Sequence, residues 1–428
     1  MKITIHRGIN QIGGCATEIQ SGDDRIMIDL GSNLPGTEGE DFSEEQIKSK
    51  TSGLRAILYT HYHGDHVGHF AEVSGTEQWI GKGAHEVMMA KHKALQKASD
   101  IKRKNGQEEE ADKLDQTAAL SVLSEMKTFE MRQELRFGCL TVTPFACSHS
   151  AFDSYMFLIS DGENTILHTG DFRTHGYIGK GVRKFIPAFV GQVDALITEG
   201  TMLCRGDEHV ATEGELKREV YNLLTEGCGH NQFFALCSST DIDRLATFRL
   251  ACKEAEACFV VDPFQKEVLD IFTKYQSGFS KIYNFDCVKI CRSSDKFFDE
   301  IARTGFVFAI RSSQIEKLKN VYMRRFPNAK LIYSMWDGYR HGSASQRSES
   351  IIDVCRLFGD ENIVPVHTSG HATPEAIRDV VEMTKPRKKI IVIHKDKNSD
   401  RSLLNLPKEY KDKVVWDFEP GQDNSVEI

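Results

Sequence analysis

The sequence lacks the features that would assign it to a membrane or to a secretory route. No stretch approaches the roughly 18 consecutive apolar residues of a membrane-spanning helix. The amino-terminal MKITIHRGIN has no apolar segment of the kind that signal peptides contain. We therefore expect a cytoplasmic protein that makes no contact with a membrane.

The cysteines lack any paired spacing. There are 11 of them, an odd number, and no two form a CxxC pair. In a chain of 428 residues this scatter is typical of reduced, mostly buried thiols. Neither a disulfide framework nor a cysteine-based zinc finger is expected.

An excess of positive charge is also missing, since the formal net charge is −8. This excludes a uniformly basic nucleic-acid-binding protein, and any polyanion must be bound by local positive charge in a groove or around a metal. The apolar fraction of 40% and the charged fraction of 27% are those of an ordinary globular protein. The length predicts about two domains.

Short apolar runs alternate with polar loops along most of the chain, and this pattern predicts an α/β fold. Strands are expected in the first 30 residues, in GLRAILYTH, and again in LTVTPFACSHS, YMFLIS and NTILHTGDF. From about 212 to 367, helices alternate with strands in the rhythm of a parallel sheet. One of these helices, TDIDRLATFRLACKEA, could be capped by Thr240 or Asp241. Residues 85–128 predict two charged amphipathic helices around a KNGQ break.

Residues 60–69, THYHGDHVGH, concentrate four of the 16 histidines. This stretch is either a solvated polar loop or part of a metal site. Other histidines and carboxylates also follow apolar runs, and in layered α/β proteins such strand ends converge on one side of the sheet. They are Asp29, His149, Asp171, Glu199, His371 and His394.

Imidazole and carboxylate groups are good ligands of Zn²⁺ or Mn²⁺ and need no thiolate. The loop at 60–69 cannot fill two coordination spheres alone, so His149, Asp171 and His394 are the candidates for the remaining ligands. We expect two divalent metal ions, with zinc favoured and manganese as the alternative. Two such ions can activate a hydroxide and clamp a phosphodiester.

The order of these motifs resembles the metallo-β-lactamase superfamily. The HxHxDH of residues 61–66 is followed by a lone histidine and by TGDF, as in that superfamily. ALITEGT, VHTSGHATPEAI and KKIIVIHKD are similar to motifs A, B and C of its β-CASP branch. GINQIGGCATEI and SHSAFDSYMF are similar to ribonuclease J-type nucleases. The resemblance covers about residues 1 to 400. Because 34 residues follow His394, the C-terminal domain of the ribonuclease J type is expected to be missing.

The resemblance implies a role for each residue. His61, His63 and His149 would hold the first metal, and Asp65, His66 and His394 the second, with Asp171 bridging both. Asp29 and Glu199 would orient histidines or metal-bound water, and His371 would contact the scissile phosphate or assist the leaving oxygen. Either Asp65 or Asp171 would accept the proton of the attacking water. Three further residues are candidates for phosphate or RNA contacts: Ser369, Thr373 and Arg173.

The same resemblance implies the architecture. We expect an αββα metallo-β-lactamase domain at residues 1–205, an inserted α/β β-CASP domain at 206–368, and completion of the first domain by 369–428. The active site is expected in the cleft between the two domains.

The predicted function is hydrolysis of RNA phosphodiester bonds, with exonuclease and endonuclease modes both open. A histidine at motif C, here His394, is found in RNA-acting members of the branch. Single-stranded RNA is therefore the expected partner, with DNA as an alternative, and a homodimer stays open. The alternatives are a single-strand DNA nuclease, a thioester or phosphoester hydrolase of the same fold, and a non-catalytic RNA-binding scaffold. The large insertion argues against the thioesterase, and the intact ligand set argues against the scaffold.

Overall fold

The computed structural model describes residues 1–428 apart from 38, 206–209, 228–229, 276–280 and 419–423. The chain forms two compact units. The first contains Met1–Thr174, Ile178–His209 and Gly370–Ile428, and the second contains His175–Tyr177 and Val210–Ser369. Residue 206, the predicted start of the inserted domain, lies outside the described residues. The segment His175–Tyr177 belongs to the second unit, although the predicted division assigned it to the first domain.

The described strands form three sheets. In chain order they are β1 (Lys2–Arg7), β2 (Ala16–Ser21), β3 (Asp24–Ile28), β4 (Ala56–Leu58), β5 (Gln78–Gly81), β6 (Lys127–Phe129), β7 (Leu135–Phe137), β8 (Leu140–Cys147), β9 (Ser154–Ser160), β10 (Thr165–His168), β11 (Ala195–Glu199), β12 (Gln232–Cys237), β13 (Cys258–Val261), β14 (Lys289–Ile290), β15 (Phe306–Ile310), β16 (Lys330–Ser334), β17 (Ile363–Pro365), β18 (Lys389–Ile393), β19 (Val414–Val415) and β20 (Ser425–Glu427).

The described α-helices range from one turn to six turns. They are α1 (Glu44–Thr51), α2 (Gly64–Val67), α3 (Lys82–Lys104), α4 (Glu108–Asp112), α5 (Thr117–Glu125), α6 (Val182–Phe185), α7 (Glu213–Thr225), α8 (Ile242–Glu254), α9 (Pro263–Tyr275), α10 (Asp295–Thr304), α11 (Ile315–Lys317), α12 (Met323–Arg325), α13 (Gly338–His341), α14 (Glu349–Phe358), α15 (Pro374–Thr384) and α16 (Lys408–Lys411). Within the described part of the chain, none of them is both long enough and apolar enough to cross a membrane.

The first unit has two seven-stranded sheets. One has the order β20-β1-β2-β3-β4-β5-β6 and the other β19-β18-β11-β10-β9-β8-β7. Each sheet is antiparallel on one side and parallel on the other. The parallel neighbours are β3, β4, β5 and β6 in one sheet and β10, β11, β18 and β19 in the other.

The two sheets of the first unit pack face to face. Because side chains alternate between the two faces of a strand, each central strand contributes to two cores. In β18, Ile391 and Ile393 lie in the core between the sheets, while Ile390 and Val392 lie in a second core on the opposite face. Helix α15 supplies part of that second core with a stripe of buried apolar residues. Its Thr373 cap accepts the N–H of Ala376 at 3.2 Å. Sheets inside and helices outside confirm the α/β class of the prediction.

The second unit is built on a six-stranded, all-parallel sheet with the order β14-β13-β15-β12-β16-β17. All five residues of β15 are buried, as expected of a strand that is covered on both faces. Helix α8 is capped by Asp241, whose side chain accepts the N–H of Arg244 at 3.1 Å. Of the two candidate caps, Asp241 is therefore the one used.

The prediction of two helices between residues 85 and 128 is wrong, because the segment folds as α3, α4 and α5. The break after α3 lies where it was expected, and Gly106 there has a φ of +75°. The second break, between α4 and α5, is held by side chains of α3 that bind Gln116. Gln96 accepts the N–H of Gln116 at 2.6 Å, and His92 binds the Gln116 side chain at 2.6 Å.

Candidate metal centre

The predicted site residues follow the ends of neighbouring parallel strands in the first unit. Asp29 directly follows β3, His61 lies just beyond β4, and Asp171 follows β10. Glu199 is the last residue of β11, and His394 directly follows β18. Parallel strands present their carboxyl ends at one edge of a sheet. Asp29 and His61 come from this edge of one sheet and Asp171, Glu199 and His394 from that of the other, and the two packed sheets bring the side chains together.

Two of these residues have left-handed backbone conformations, with φ values of +62° for Asp29 and +52° for His394. Such conformations are uncommon outside glycine and cost about 1 kcal/mol or more. Both occur at the first residue after a strand, where the turn directs the side chain into the site. Gly31 allows a similarly close approach, because a Cβ atom there would lie 1.7 Å from the carbonyl oxygen of Asp65.

The first group of side chains consists of three histidines. One ring nitrogen each from His61, His63 and His149 lies within 4.8 Å of the others. His63 Nδ1 is 3.2 Å from His149 Nε2, and His61 Nε2 is buried without a hydrogen bond. Burial lowers the pKa of His61 and His149 well below the usual value and that of His63 to about 4. The three rings are thus neutral near pH 7 and keep lone pairs for a cation.

The second group combines two carboxylates with two histidines: Asp65, His66, Asp171 and His394. His394 Nε2 lies 3.2 Å from Asp65 Oδ2, and His66 Nε2 lies 3.2 Å from Asp171 Oδ2. Burial is the largest single effect and opposes the charged form of His66 and His394, but Asp171 and the other nearby carboxylates together outweigh it and raise the pKa of both. Burial, the largest single effect, would raise the pKa of Asp65, but His66 and His394 together outweigh it and the pKa is lowered. These carboxylates therefore stabilise positive charge between them.

Asp171 connects the two groups through one oxygen atom. Its Oδ2 lies 3.2 Å from His66 Nε2, 3.6 Å from His394 Nε2 and 3.8 Å from His149 Nε2. The bridging role that the resemblance implied for Asp171 stays a prediction.

Asp29 orients the His66 ring through its Nδ1 atom. Its Oδ2 accepts the His66 Nδ1–H at 2.8 Å, and its Oδ1 accepts the backbone N–H of Thr60 at 2.7 Å. The Thr60 hydroxyl lies 2.9 Å from Asp29 Oδ2 and 3.0 Å from His61 Nδ1. With Nδ1 of His66 occupied, its Nε2 is the nitrogen left to face a cation.

Two further contacts hold ring nitrogens on the outer side of the site. The Thr201 hydroxyl lies 2.9 Å from His394 Nδ1, and the carbonyl of Gly370 accepts the His149 Nδ1–H at 2.7 Å. Sequence reasoning missed Thr60, Thr201 and Gly370. The available signal was position, since Thr60 precedes His61 and Thr201 comes two residues after Glu199.

Glu199 positions His371. Its Oε2 lies 3.0 Å from His371 Nδ1, and its Oε1 accepts the N–H groups of Phe172 and Ala372 at 2.9 and 3.2 Å. His371 Nδ1 is also 3.5 Å from Asp171 Oδ2. The His371 side chain is 22% exposed, whereas that of Glu199 is 1% exposed. His371 is thus the group of this pair that can reach a substrate.

Three residues were predicted to contact phosphate or RNA: Arg173, Thr373 and Ser369. Arg173 is fully buried, so it offers no exposed surface to a solvated RNA backbone. Its contact with phosphate or RNA stays a prediction. Thr373 caps α15, and Ser369 belongs to the second unit, where its carbonyl accepts a hydrogen bond from His175 at 2.7 Å. Their contact with phosphate stays a prediction.

The donors present fit divalent cations. Within the described residues, His61 Nε2 is buried and makes no hydrogen bond, which is costly unless another partner is bound. His66 Nε2 is also buried, and it lies 3.2 Å from Asp171 Oδ2. Besides the histidine triad, the sets His61, His66, Asp171 and His149, Asp171, His371 also bring ligand atoms within 4.8 Å of one another. Imidazole and carboxylate donors at this density are typical of zinc or manganese sites.

Comparison with known proteins finds similarity to one family and to two ribonucleases. Residues 13–195 match the family described as the metallo-beta-lactamase superfamily. Ribonuclease J of Helicobacter pylori strain ATCC 700392 / 26695 is 24% identical over 430 positions, which cover 90% of this chain and 55% of that protein. Ribonuclease J of strain B128 gives the same figures. The chain therefore spans about half the length of the curated relatives it matches.

A solved structure shares the fold. A protein of unknown function from Enterococcus faecalis V583 has a TM-score of 0.69 and 16% sequence identity, and the match covers 99% of each chain. At this identity the likeness concerns the fold alone.

Proposed function

We propose, on the premise that this chain carries a metallo-β-lactamase domain, that it is a metal-dependent nuclease that hydrolyses RNA. The observation that carries the proposal is the position of Asp171 Oδ2, within 3.8 Å of ring nitrogens from both groups of ligand-type side chains. The similarity to ribonuclease J over 90% of the chain supports RNA as the substrate class.

The metal ligands in this proposal are the residues of the two groups. His61, His63 and His149 would hold one ion, Asp65, His66 and His394 the other, and Asp171 would contact both. When bound, the ions supply Lewis acidity and make water a nucleophile near neutral pH. Zinc is favoured by the imidazole-rich first group.

Asp65 is the better placed of the two carboxylates to accept the proton of the attacking water. Its side chain is 11% exposed, against 2% for Asp171. The lowered pKa of Asp65, which His66 and His394 together cause against the larger single effect of burial, keeps this carboxylate ionised. Asp171 Oδ2 is surrounded by histidine rings and serves to hold the two groups together.

His371 would donate a hydrogen bond to the scissile phosphate or to the leaving oxygen. Glu199 fixes its Nδ1, which leaves Nε2 for the substrate. A His371→Ala variant should lose about 100-fold or more in the rate of cleavage while its metal content stays unchanged. Loss of metal in this variant would instead make His371 a ligand and contradict the assignment.

The proposal is tested with end-labelled single-stranded RNA and DNA of one sequence, incubated with the full chain and Zn²⁺ or Mn²⁺. His63→Ala removes a ligand, and His92→Ala is the matched control because His92 lies on α3 and binds Gln116. Metal-dependent RNA cleavage that His63→Ala abolishes and His92→Ala retains would support the proposal. The product ladder would distinguish exonuclease from endonuclease cleavage.

Other outcomes separate the alternatives. Cleavage of DNA alone would make the chain a DNA nuclease and overturn the RNA assignment. If metal is bound and neither polymer is cut, the nuclease proposal is wrong, and thioester and small phosphoester substrates become the next to measure.

A further inference from the structure

A buried cysteine lies beside the second group of ligand-type residues. Cys15 is 3% exposed, and its backbone is fixed on both sides. Its N–H donates to the carbonyl of Asp65 at 2.9 Å, and its carbonyl accepts the N–H of Gly31 at 2.9 Å. The Cys15 Sγ atom and one ring nitrogen each of His66 and His394 lie within 4.8 Å of one another.

Two further observations point to a ligand at this position. The His66 Nε2 atom is buried in a ring that is 2% exposed, and it lies 3.2 Å from Asp171 Oδ2 without the geometry of a hydrogen bond. A small cavity adjoins it and is lined by Cys15, His66, Asp171 and His394 among others. Sulfur, imidazole nitrogen and carboxylate oxygen therefore border one space.

Most buried cysteines serve only as small apolar side chains. Cys147, Cys237 and Cys252 are also buried here, but in the described residues none of them joins a group of metal-ligating atoms. Cys15 is as buried as these cysteines, and it differs from them in lying beside His66 and His394.

We propose that the Cys15 thiolate is a ligand of the second metal ion, together with His66 and His394. The inference rests on the proposed metal centre and adds to it the kind of ion that it selects. On coordination the thiol releases its proton to solvent, a metal–sulfur bond forms, and no electron is transferred. A thiolate favours Zn²⁺, Co²⁺ and Cd²⁺ over Mn²⁺ and Mg²⁺, which prefer oxygen ligands.

The test uses Co²⁺ as a spectroscopic probe of the full chain after removal of metal by a chelator. Visible absorption reports that cobalt is bound, and a near-ultraviolet thiolate-to-cobalt band reports a sulfur ligand. We expect both in the natural protein. Cys15→Ser and Cys15→Ala should lose the near-ultraviolet band and keep visible absorption, and the control Cys252→Ser should keep both. The preference for Zn²⁺ over Mn²⁺ should fall about tenfold in Cys15→Ser.

The outcomes distinguish this inference from the proposed function. Visible absorption without a near-ultraviolet band in the natural protein overturns the role of Cys15 and leaves the metal centre intact. A near-ultraviolet band that persists in both Cys15 variants also overturns the role of Cys15 and leaves the metal centre intact. If no cobalt binds and no other divalent metal is retained, the metal centre itself is wrong and the inference fails with it. The spectrum of the natural protein decides even if a Cys15 variant fails to fold.

Discussion

Replacing Asp29 with Asn should weaken metal binding without altering the shape of the site. Asn is nearly isosteric with Asp and is among the residues that best tolerate a left-handed conformation such as the φ of +62° here. In the variant, the amide oxygen can still accept the Thr60 N–H. The amide NH₂ then faces His66 Nδ1, which accepts a hydrogen bond in place of donating one. The imidazole proton moves to Nε2, and the lone pair that would bind metal is lost.

The size of the effect follows from the hydrogen bond between Asp29 and His66. A hydrogen bond to a charged group contributes about 1.5–3 kcal/mol, and 1.4 kcal/mol corresponds to a tenfold change in affinity. The apparent affinity for Zn²⁺ should therefore fall roughly 10- to 100-fold. It can be measured by competition with a chromophoric chelator at fixed pH, and circular dichroism of the metal-free variant would verify that it is folded.

Asp153→Asn is the matched control. Asp153 also has a left-handed conformation, with a φ of +61°, and its carboxylate accepts the N–H groups of Gly83 and Ala84 at 2.8 and 3.0 Å. The control should lose about 1 kcal/mol of stability through the weakened helix cap and bind Zn²⁺ normally. Unchanged affinity in Asp29→Asn would refute the reasoning, since the His66 tautomer would then not depend on Asp29.

Three further predictions concern stability. Gly31→Ala should destabilise the metal-free chain by about 1–3 kcal/mol in urea unfolding, because its Cβ would displace the Asp65 carbonyl; Gly181→Ala, with nothing within 4 Å, should be nearly neutral. Burial, the largest single effect, would raise the pKa of Glu18, but Arg25 and His6 together outweigh it and lower the pKa to about 2. Glu18 therefore stabilises the fold above about pH 4.5, and this contribution is lost as the pH falls towards 2. Glu18→Gln should cost about 1–3 kcal/mol at pH 7 and nothing near pH 2. Removal of a metal present at 1,000 times its Kd should reduce the free energy of unfolding by about 4 kcal/mol.

The strand ends that build the site were predictable because parallel strands are covered on both faces. Ala195–Glu199 and Lys389–Ile393 appear in the sequence as short apolar runs, and the polar residue at the end of each run lies in the site. The geometry brings together His61, His63, Asp65, His66, His149, Asp171 and His394 as the pattern predicted. Their roles as ligands stay proposals until metal binding is measured.

What the sequence could not show depends on contacts between distant residues. Arginine is usually exposed, so nothing in the sequence around Arg173 indicates its complete burial. Thr201 is an ordinary threonine until the fold places it against His394, 193 positions later. The split between α4 and α5 likewise depends on Gln96, which lies 20 residues before the Gln116 N–H that it binds.

The distance along the chain between Asp65 and His394 determines when the second group of ligand-type side chains can be assembled. These residues are 329 positions apart, and β18 must be inserted between β11 and β19 before His394 is in place. At a synthesis rate of about 5–20 residues per second, about 16 to 66 seconds separate the appearance of the two side chains. The histidine triad is complete in sequence at residue 149. A nascent chain that stalls within the second unit thus contains the histidine triad but lacks His394 of the second group. Both groups can be complete only after the whole second unit has been translated.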